Sequence, residues 1–319
     1  MSQCLISLGS NLGQRSELLH RAAERVAKSS VVSNFRASRL YETPPIGGPG
    51  GQEPFLNAAA AFDTESSAHE ILSLLQEVEQ WLGRQRLRRW DARSIDLDVV
   101  LYGDLVGGDS HLVVPHPRYP ARTFVLHPAC DVADHYRDPR FGWTIGELSR
   151  HVAKAQPSLC LVGGDADLRK LICRRLTEDH GVTTFQSSDR VMTTGTIANA
   201  PLPPSQIRFA ESPVQDGVST ADAAMPAGPW VSDSLPSLDI TDRTHWDDPR
   251  MPRLIARIQH VTEDSSWPAP HKIWPKGWRY PEYRLEVTDV EWAIGEVASA
   301  LDSMRCPCRA VTADGSWWR

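Results

Sequence analysis

The run Ile95-Asp96-Leu97-Asp98-Val99-Val100-Leu101 sets two carboxylates into an apolar stretch. In a strand the side chains alternate, so Ile95, Leu97, Val99 and Leu101 face one way and Asp96 and Asp98 the other. Two positions apart on one strand face, the carboxylates lie roughly 6 to 7 Å from each other, and two anions there repel unless positive charge intervenes. Arg84, Arg86, Arg88, Arg89 and Arg93 crowd the ten residues before the strand. Surface ion pairs are one answer, and such pairs contribute little. The other answer is metal. Carboxylates holding Mg²⁺, with arginines facing phosphate oxygens, supply the charge neutralisation and positioning that phosphoryl-type transfer needs. Mg²⁺ suits a site with few protein carboxylates, because waters and phosphates complete its shell.

Two further segments carry chemistry-bearing side chains. Residues 114–126 hold His116, Arg118 and Arg122 among prolines, and the Gly/Pro-rich residues 42–54 run into Phe55 and Asn57. Taken singly, His116 and Arg122 read equally well as surface-loop residues, and Phe55 as core. No general base stands out, and none is needed if a metal lowers the pKa of an attacking hydroxyl.

The elements that must position these groups are legible by periodicity. Residues 4–8 read as a short strand, and residues 15–26 as a helix with Leu18, Leu19, Ala22, Ala23 and Val26 on its apolar face. A strand is predicted over residues 31–41. Residues 42–54 form a loop, because Pro44, Pro45, Pro49, Pro54 and their glycines forbid regular structure. A strand through Phe55 precedes a helix that opens on a capping box, Ser67 with Glu70, and stops at Gly83. Residues 111–130 read as another proline-punctuated segment. The β-α-β-β-α-β order is that of a ferredoxin-like α+β domain. From Leu159 the pattern changes to strand, Gly163-Gly164 turn and helix, the opening of an α/β, Rossmann-like unit without a Walker A loop. Residues 196–236 read as a Pro/Ser/Ala-rich connector, and residues 283–304 as a strand entering a helix capped by Thr288 with Glu291.

At 319 residues the chain is long enough for two domains, predicted at 1–156 and 157–319. Its formal net charge is −6 and neither half is basic, which argues against nucleic acid as a partner. The opening apolar run is short and lacks a basic leader, so no signal peptide is expected. No stretch approaches the roughly 20 apolar residues of a membrane span. The six cysteines are scattered. Only Cys306 and Cys308 have ligand-like spacing, and no second pair accompanies them. A reduced, cytoplasmic setting follows. Eight of the eleven tryptophans lie from Trp230 onward, which favours a packed second half over a tail.

The motifs LGSNLG (residues 8–13), ETPPIGG (42–48), FLNAA (55–59), GRQRLRRWDARSIDLDVVLYG (83–103) and VPHPRYPARTFVL (114–126) together resemble the 6-hydroxymethyl-7,8-dihydropterin pyrophosphokinase family of folate biosynthesis. The likeness spans about the first 150 residues. It implies a ferredoxin-like fold and an ATP-dependent enzyme that moves pyrophosphate from MgATP to the pterin hydroxymethyl group, releasing AMP. By the same resemblance Asp96 and Asp98 are catalytic and bind two Mg²⁺ ions. Arg84 and Arg93 are catalytic and, with His116 and Arg122, contact the ATP triphosphate, with Trp90 packing beside the nucleotide. Phe55 and Phe124 sandwich the flat pterin, a geometry suited to aromatic faces. Thr43, Pro44, Ile46 and Asn57 read its polar edge, and Glu79 matches a position near the site. Residues 47–53 and 87–92 are expected to close over ATP and exclude water. Asp91-Ala92 departs from the family's usual Gly-Pro, adding charge and removing stiffness from that loop.

Two other readings remain. Nucleotidyltransferases also join a Gly-Ser turn to an Asp-x-Asp strand, but Gly9-Ser10 lies more than eighty residues before Asp96, far from their close spacing. A non-catalytic pterin- or nucleotide-binding module serving the second half would not need both aspartates, the arginines and the pterin loop at once. No activity is read for residues 157–319.

Overall fold

The computed structural model describes residues 1–47, 51–84, 94–109, 111–187, 225–260 and 279–319. In chain order the first part comprises β1 (Ser2–Ser10), α1 (Arg15–Ala27), β2 (Ser33–Ala37), β3 (Tyr41–Thr43), β4 (Phe55–Thr64), α2 (Ala68–Trp81) and β5 (Asp96–Tyr102). The short pair β6 (Gly107–Gly108) and β7 (Val113–Val114) precedes α3 (Thr123–Ala133) and α4 (Ile145–Ala153). The second part comprises β8 (Ser158–Val162), α5 (Ala166–His180), β9 (Thr183–Phe185), β10 (Trp230–Ser232), β11 (Leu254–His260), β12 (Glu282–Val287), α6 (Val290–Met304) and β13 (Arg309–Ala310).

The chain is a mixed α/β protein built on two main sheets. The first is antiparallel in the order β13-β3-β4-β1-β5, with β2 also paired to β4. The second is parallel in the order β12-β11-β8-β10-β9. No helix among the described residues is long and apolar enough to cross a membrane.

Alternation along β1 and β4 loads both faces of the first sheet. Cys4, Ile6, Leu8, Ala58, Ala60 and Phe62 pack against Leu19, Ala22 and Val26 of α1 and Ile71, Leu75 and Val78 of α2. Leu5, Ala59 and Ala61 face the other way, onto Val125, Leu126 and Ala129 of α3. That second core does not stop at α4. It continues through Trp143, Leu148 and Val152 into β8, β11, β12 and α6. Trp143 meets Trp246 at 4.7 Å between ring centroids, and its Nε1 donates to the Arg279 carbonyl at 2.8 Å. The final residues return to the first sheet: β13 pairs with β3, and Trp317 Nε1 donates to the Ser38 carbonyl at 2.6 Å.

Several local expectations are corrected. The strand over residues 31–41 divides into β2 and β3. Asn34 takes a left-handed φ of 53°, and the Ser38 hydroxyl leaves the ladder to accept from Ala59 N–H at 2.9 Å and donate to the Arg39 carbonyl at 2.7 Å. The proline-punctuated segment holds α3, with Pro128 inside it. A mid-helix proline costs about 3 kcal/mol, and burial of Val125, Leu126, Ala129 and Ala133 offsets it. Leu101 faces the α3 side rather than the side of Leu97 and Val99, because Ile6 pairs Val99 while Leu5 pairs Leu101, leaving Val100 as an extra residue. The cap of α6 is Asp289, which accepts from Trp292 N–H at 2.7 Å; Thr288 only donates to it. The Ser67/Glu70 capping box of α2 forms as read, with Gly83 at φ 78° just beyond its end. Most of the connector over 196–236 lies outside the described residues.

Candidate active site

The face of the first sheet that turns toward α3 is apolar only along part of its length. Toward one end it carries Asp96 and Asp98 of β5, Ser7 and Gly9 of β1, Phe55 and Asn57 of β4 and Thr43 of β3. These side chains fall in one row because register places Ser7 opposite Asp98, Gly9 opposite Asp96 and opposite Asn57, and Thr43 opposite Phe55. Above the row lies a cavity of about 250 Å³, closed by Pro44, Ile46, Gln52, His116, Arg118, Arg122, Phe124 and Trp292. Gly9 keeps its floor open, since a Cβ there would sit 3.2 Å from Asn57 Oδ1. Asn57 Nδ2 donates to Thr43 Oγ1 at 2.8 Å, so two polar side chains are held in fixed orientation beside Phe55.

The charged groups are positioned from beneath and from the side. Arg84 pairs with Glu79 and with Asp96 Oδ1, the latter at 2.7 Å. It therefore braces the acidic strand. Glu79 is buried, accepts from Leu97 N–H at 2.8 Å, and is pushed up to about 7 by burial against the opposing pull of Arg84. His116 donates its backbone N–H to the Val100 carbonyl at 2.9 Å, and its Nδ1 accepts from Arg118 N–H at 3.1 Å. Burial, with Arg122 and Arg118 nearby, holds its imidazole well below the usual histidine range. It is a neutral side chain at pH 7. Arg122 lies with its guanidinium carbon 5.7 Å from the Phe124 ring centre, and burial followed by repulsion from Arg118 lowers its pKa.

One end of the cavity is thus acidic and the other cationic, with aromatic rings between. Asp96 and Asp98 fit Mg²⁺: two carboxylates on one strand face, open to a cavity, leave room for waters and phosphate oxygens as the remaining ligands. Among the described residues no cluster of three or more His, Cys, Asp or Glu could hold a metal ion, so a phosphate-borne ion suits this donor set better than an all-protein cage.

The cavity brings together Asp96, Asp98, His116, Arg122, Thr43, Pro44, Ile46, Phe55, Asn57 and Phe124. Arg84 stands behind Asp96 rather than in the lining. Arg93 and the whole loop over 87–92, Trp90 included, lie outside the described residues, as do Gly48, Pro49 and Gly50. Gly47 and Gln52 of the predicted closing loop line the cavity, while sequence reasoning missed Ser7, Gly9, Val125 and Trp292 as lining residues and gave Arg118 no role. Alternation in β1 could have found Ser7 and Gly9; no local signal marks Trp292, which is 194 residues beyond Asp98. Cys306 and Cys308 sit outside the cavity, beside β13, and hydrogen bonding with Cys306, and then with His127, lowers the pKa of Cys308.

A carboxylate pair across a cavity from guanidinium groups, with an aromatic slot between, suits a phosphoryl-type transferase. Residues 5–134 match the family model described as 7,8-dihydro-6-hydroxymethylpterin-pyrophosphokinase. Over 133 residues the chain is 40% identical to the 2-amino-4-hydroxy-6-hydroxymethyldihydropteridine pyrophosphokinase of Methylorubrum extorquens, covering 42% of this chain and 84% of that protein. The enzyme of the same description from Haemophilus influenzae is 38% identical over 133 residues, covering 42% and 82%, and that of Bacillus subtilis 39% over 127, covering 40% and 75%. The chain belongs to the 7,8-dihydro-6-hydroxymethylpterin pyrophosphokinase family.

Proposed function

We propose that this cleft transfers pyrophosphate from MgATP to the hydroxymethyl oxygen of 6-hydroxymethyl-7,8-dihydropterin, a step of folate biosynthesis. The observation that carries this reading is the shared cavity of Asp96, Asp98, Phe55, Phe124 and three cationic-side residues, His116, Arg118 and Arg122. In the reaction the hydroxymethyl oxygen attacks the β-phosphorus, the bond from that phosphorus to the bridging α,β-oxygen breaks, AMP leaves, and the hydroxyl proton passes to solvent. Asp96 and Asp98 would hold the Mg²⁺, two ions by the family reading, which supplies charge neutralisation across the phosphates and lowers the pKa of the attacking hydroxyl.

The chain's own side chains do the rest. Arg84 holds Asp96 in place and Glu79 holds Arg84. Arg122, with Arg93 and Trp90, is assigned to the nucleotide, and His116 offers a neutral ring donor that binds phosphate without competing with the metal for charge. Phe55 and Phe124 bracket the pterin while Asn57 and Thr43, already bonded to each other, present fixed polar atoms to its edge. Because catalysis here is positioning and electrostatics, rigid side chains matter more than a base. We further read the first sheet as ferredoxin-like, supported by β1 lying between β4 and β5, and the second as Rossmann-like, supported by its parallel order. Substrates of this cleft are small molecules.

Phosphorus NMR of the reaction mixture tests the proposal. AMP and a pterin diphosphate, in equal amounts and only when pterin is present, are expected; ADP would indicate single-phosphoryl transfer, and free pyrophosphate with a nucleotidylated product would indicate a nucleotidyltransferase.

A further inference from the structure

Among the described residues, the second half of the chain contributes one to the lining, Trp292 in the first turn of α6. Its position is set by rigid elements. Asp289 caps the helix through Trp292 N–H at 2.7 Å. Arg118, from the loop that also carries His116, pairs with Glu296 of α6 at 2.7 Å and with Glu286 of β12 at 3.2 Å. Arg284 N–H of β12 donates to the Pro117 carbonyl at 3.1 Å, and Thr123 Oγ1 at the start of α3 donates to the Ser303 carbonyl near the other end of α6 at 2.6 Å. The helix is therefore fastened at its middle and near its C-terminal end to the loop and helix that bear His116, Arg122 and Phe124. The guanidinium carbon of Arg118 lies 5.9 Å from the Trp292 ring centre, mirroring Arg122 beside Phe124.

The cavity has a volume of about 250 Å³. Among its described lining residues, Phe55, Phe124 and Trp292 supply the phenyl and indole rings. We propose that Trp292 is a third aromatic wall of this cleft and contacts the bound pterin, so that the second half of the chain completes the pyrophosphokinase site. The inference rests on the function proposed above. It assigns residues beyond the family match a direct part in substrate binding, and it makes pterin recognition depend on the docking of α6.

The test uses the full chain and two variants, Trp292→Ala and Trp292→Phe, with calorimetric titration of 6-hydroxymethyl-7,8-dihydropterin in the presence of Mg²⁺ and a non-hydrolysable α,β-methylene ATP analogue, and separate titration of that analogue. An aromatic contact of ordinary strength predicts that Trp292→Ala weakens pterin binding about 2- to 13-fold. Trp292→Phe restores most of the loss, and the analogue binds all three proteins within about twofold. Unchanged pterin affinity in Trp292→Ala, or parallel loss of both ligands, overturns the inference while leaving the pyrophosphokinase reading intact. Wild type that binds the analogue but no pterin overturns both.

Discussion

Removing everything after residue 156 should leave a fragment that does not fold on its own, even though the family match ends at residue 134. Trp143, Ile145, Leu148 and Val152 belong to the core that continues into the second sheet, and none is more than 7% exposed. Truncation takes away the Trp246 and Tyr280 rings that cover Trp143, the Arg253 carbonyl that accepts from His151 Nε2 at 2.9 Å, and β13 from the edge of β3. At about 1.5 to 3 kcal/mol per large apolar side chain, re-exposing four such residues costs about 6 to 12 kcal/mol. That equals the whole net stability of an ordinary domain, about 5 to 15 kcal/mol. The assay is thermal unfolding by circular dichroism of fragment 1–156 beside the full chain, with a hydrophobic dye as reporter of exposed apolar surface. An insoluble or dye-binding fragment without a cooperative transition is expected. A soluble fragment that melts cooperatively within a few degrees of the full chain would refute the shared-core reasoning.

Three other outcomes follow from particular residues. His151 is buried and its pKa is pushed down to about 3, first by burial and then by Arg253. The unfolded chain takes its proton near 6.5 and the folded chain only near 3. Stability from this group is therefore complete above pH 6.5 and falls by about 1.4 kcal/mol per pH unit below it, about 2.7 kcal/mol by pH 4.5. Denaturant unfolding should show a smaller loss between pH 7 and 4.5 in His151→Gln than in wild type; equal losses would contradict the assignment. Gly9→Ala drives a Cβ against Asn57 Oδ1 and should weaken pterin binding about tenfold, or about 1.4 kcal/mol, with ATP-analogue binding unchanged; titration of both ligands checks it. Cys308 is held below the usual thiol range by its hydrogen bonds to Cys306 and His127, whereas burial raises Cys130, Cys160 and Cys173. Iodoacetamide at pH 7 should label Cys308 first, as read by peptide mass spectrometry, and first labelling at Cys130 would contradict this.

The parts of the site that came through from sequence are those where local pattern and chemistry coincide. Asp96 and Asp98 share a face because β5 alternates across them, and the bulge that turns Leu101 around falls after them, at Val100. Phe55 and Asn57 share a face for the same reason, and the capping box of α2 is a purely local signal. What stayed hidden depends on long-range packing. Pro128 disguised α3, whose stability comes from tertiary burial rather than propensity. The two-residue strand β13 has no periodicity of its own and exists because β3 offers an edge. Trp292 reaches the cavity through long-range contacts, among them the pairing of Arg118 with Glu296 and the docking of β12 on Pro117. The pairing of Arg84 with Glu79 and Asp96 has no local signal either, because its partners lie in separate elements.

The most direct measurement of the central claim is pterin-dependent AMP release by the full chain with Mg²⁺, beside Asp96→Asn and Asp98→Asn. Each substitution keeps side-chain size and removes one charge from the acidic strand. The account predicts AMP formation by wild type only when pterin is present, and a fall of at least about 100-fold in each folded variant, consistent with loss of several kcal/mol of charge stabilisation. Wild-type rates in either variant, or a folded wild type that binds ATP yet releases no AMP with pterin, would contradict it.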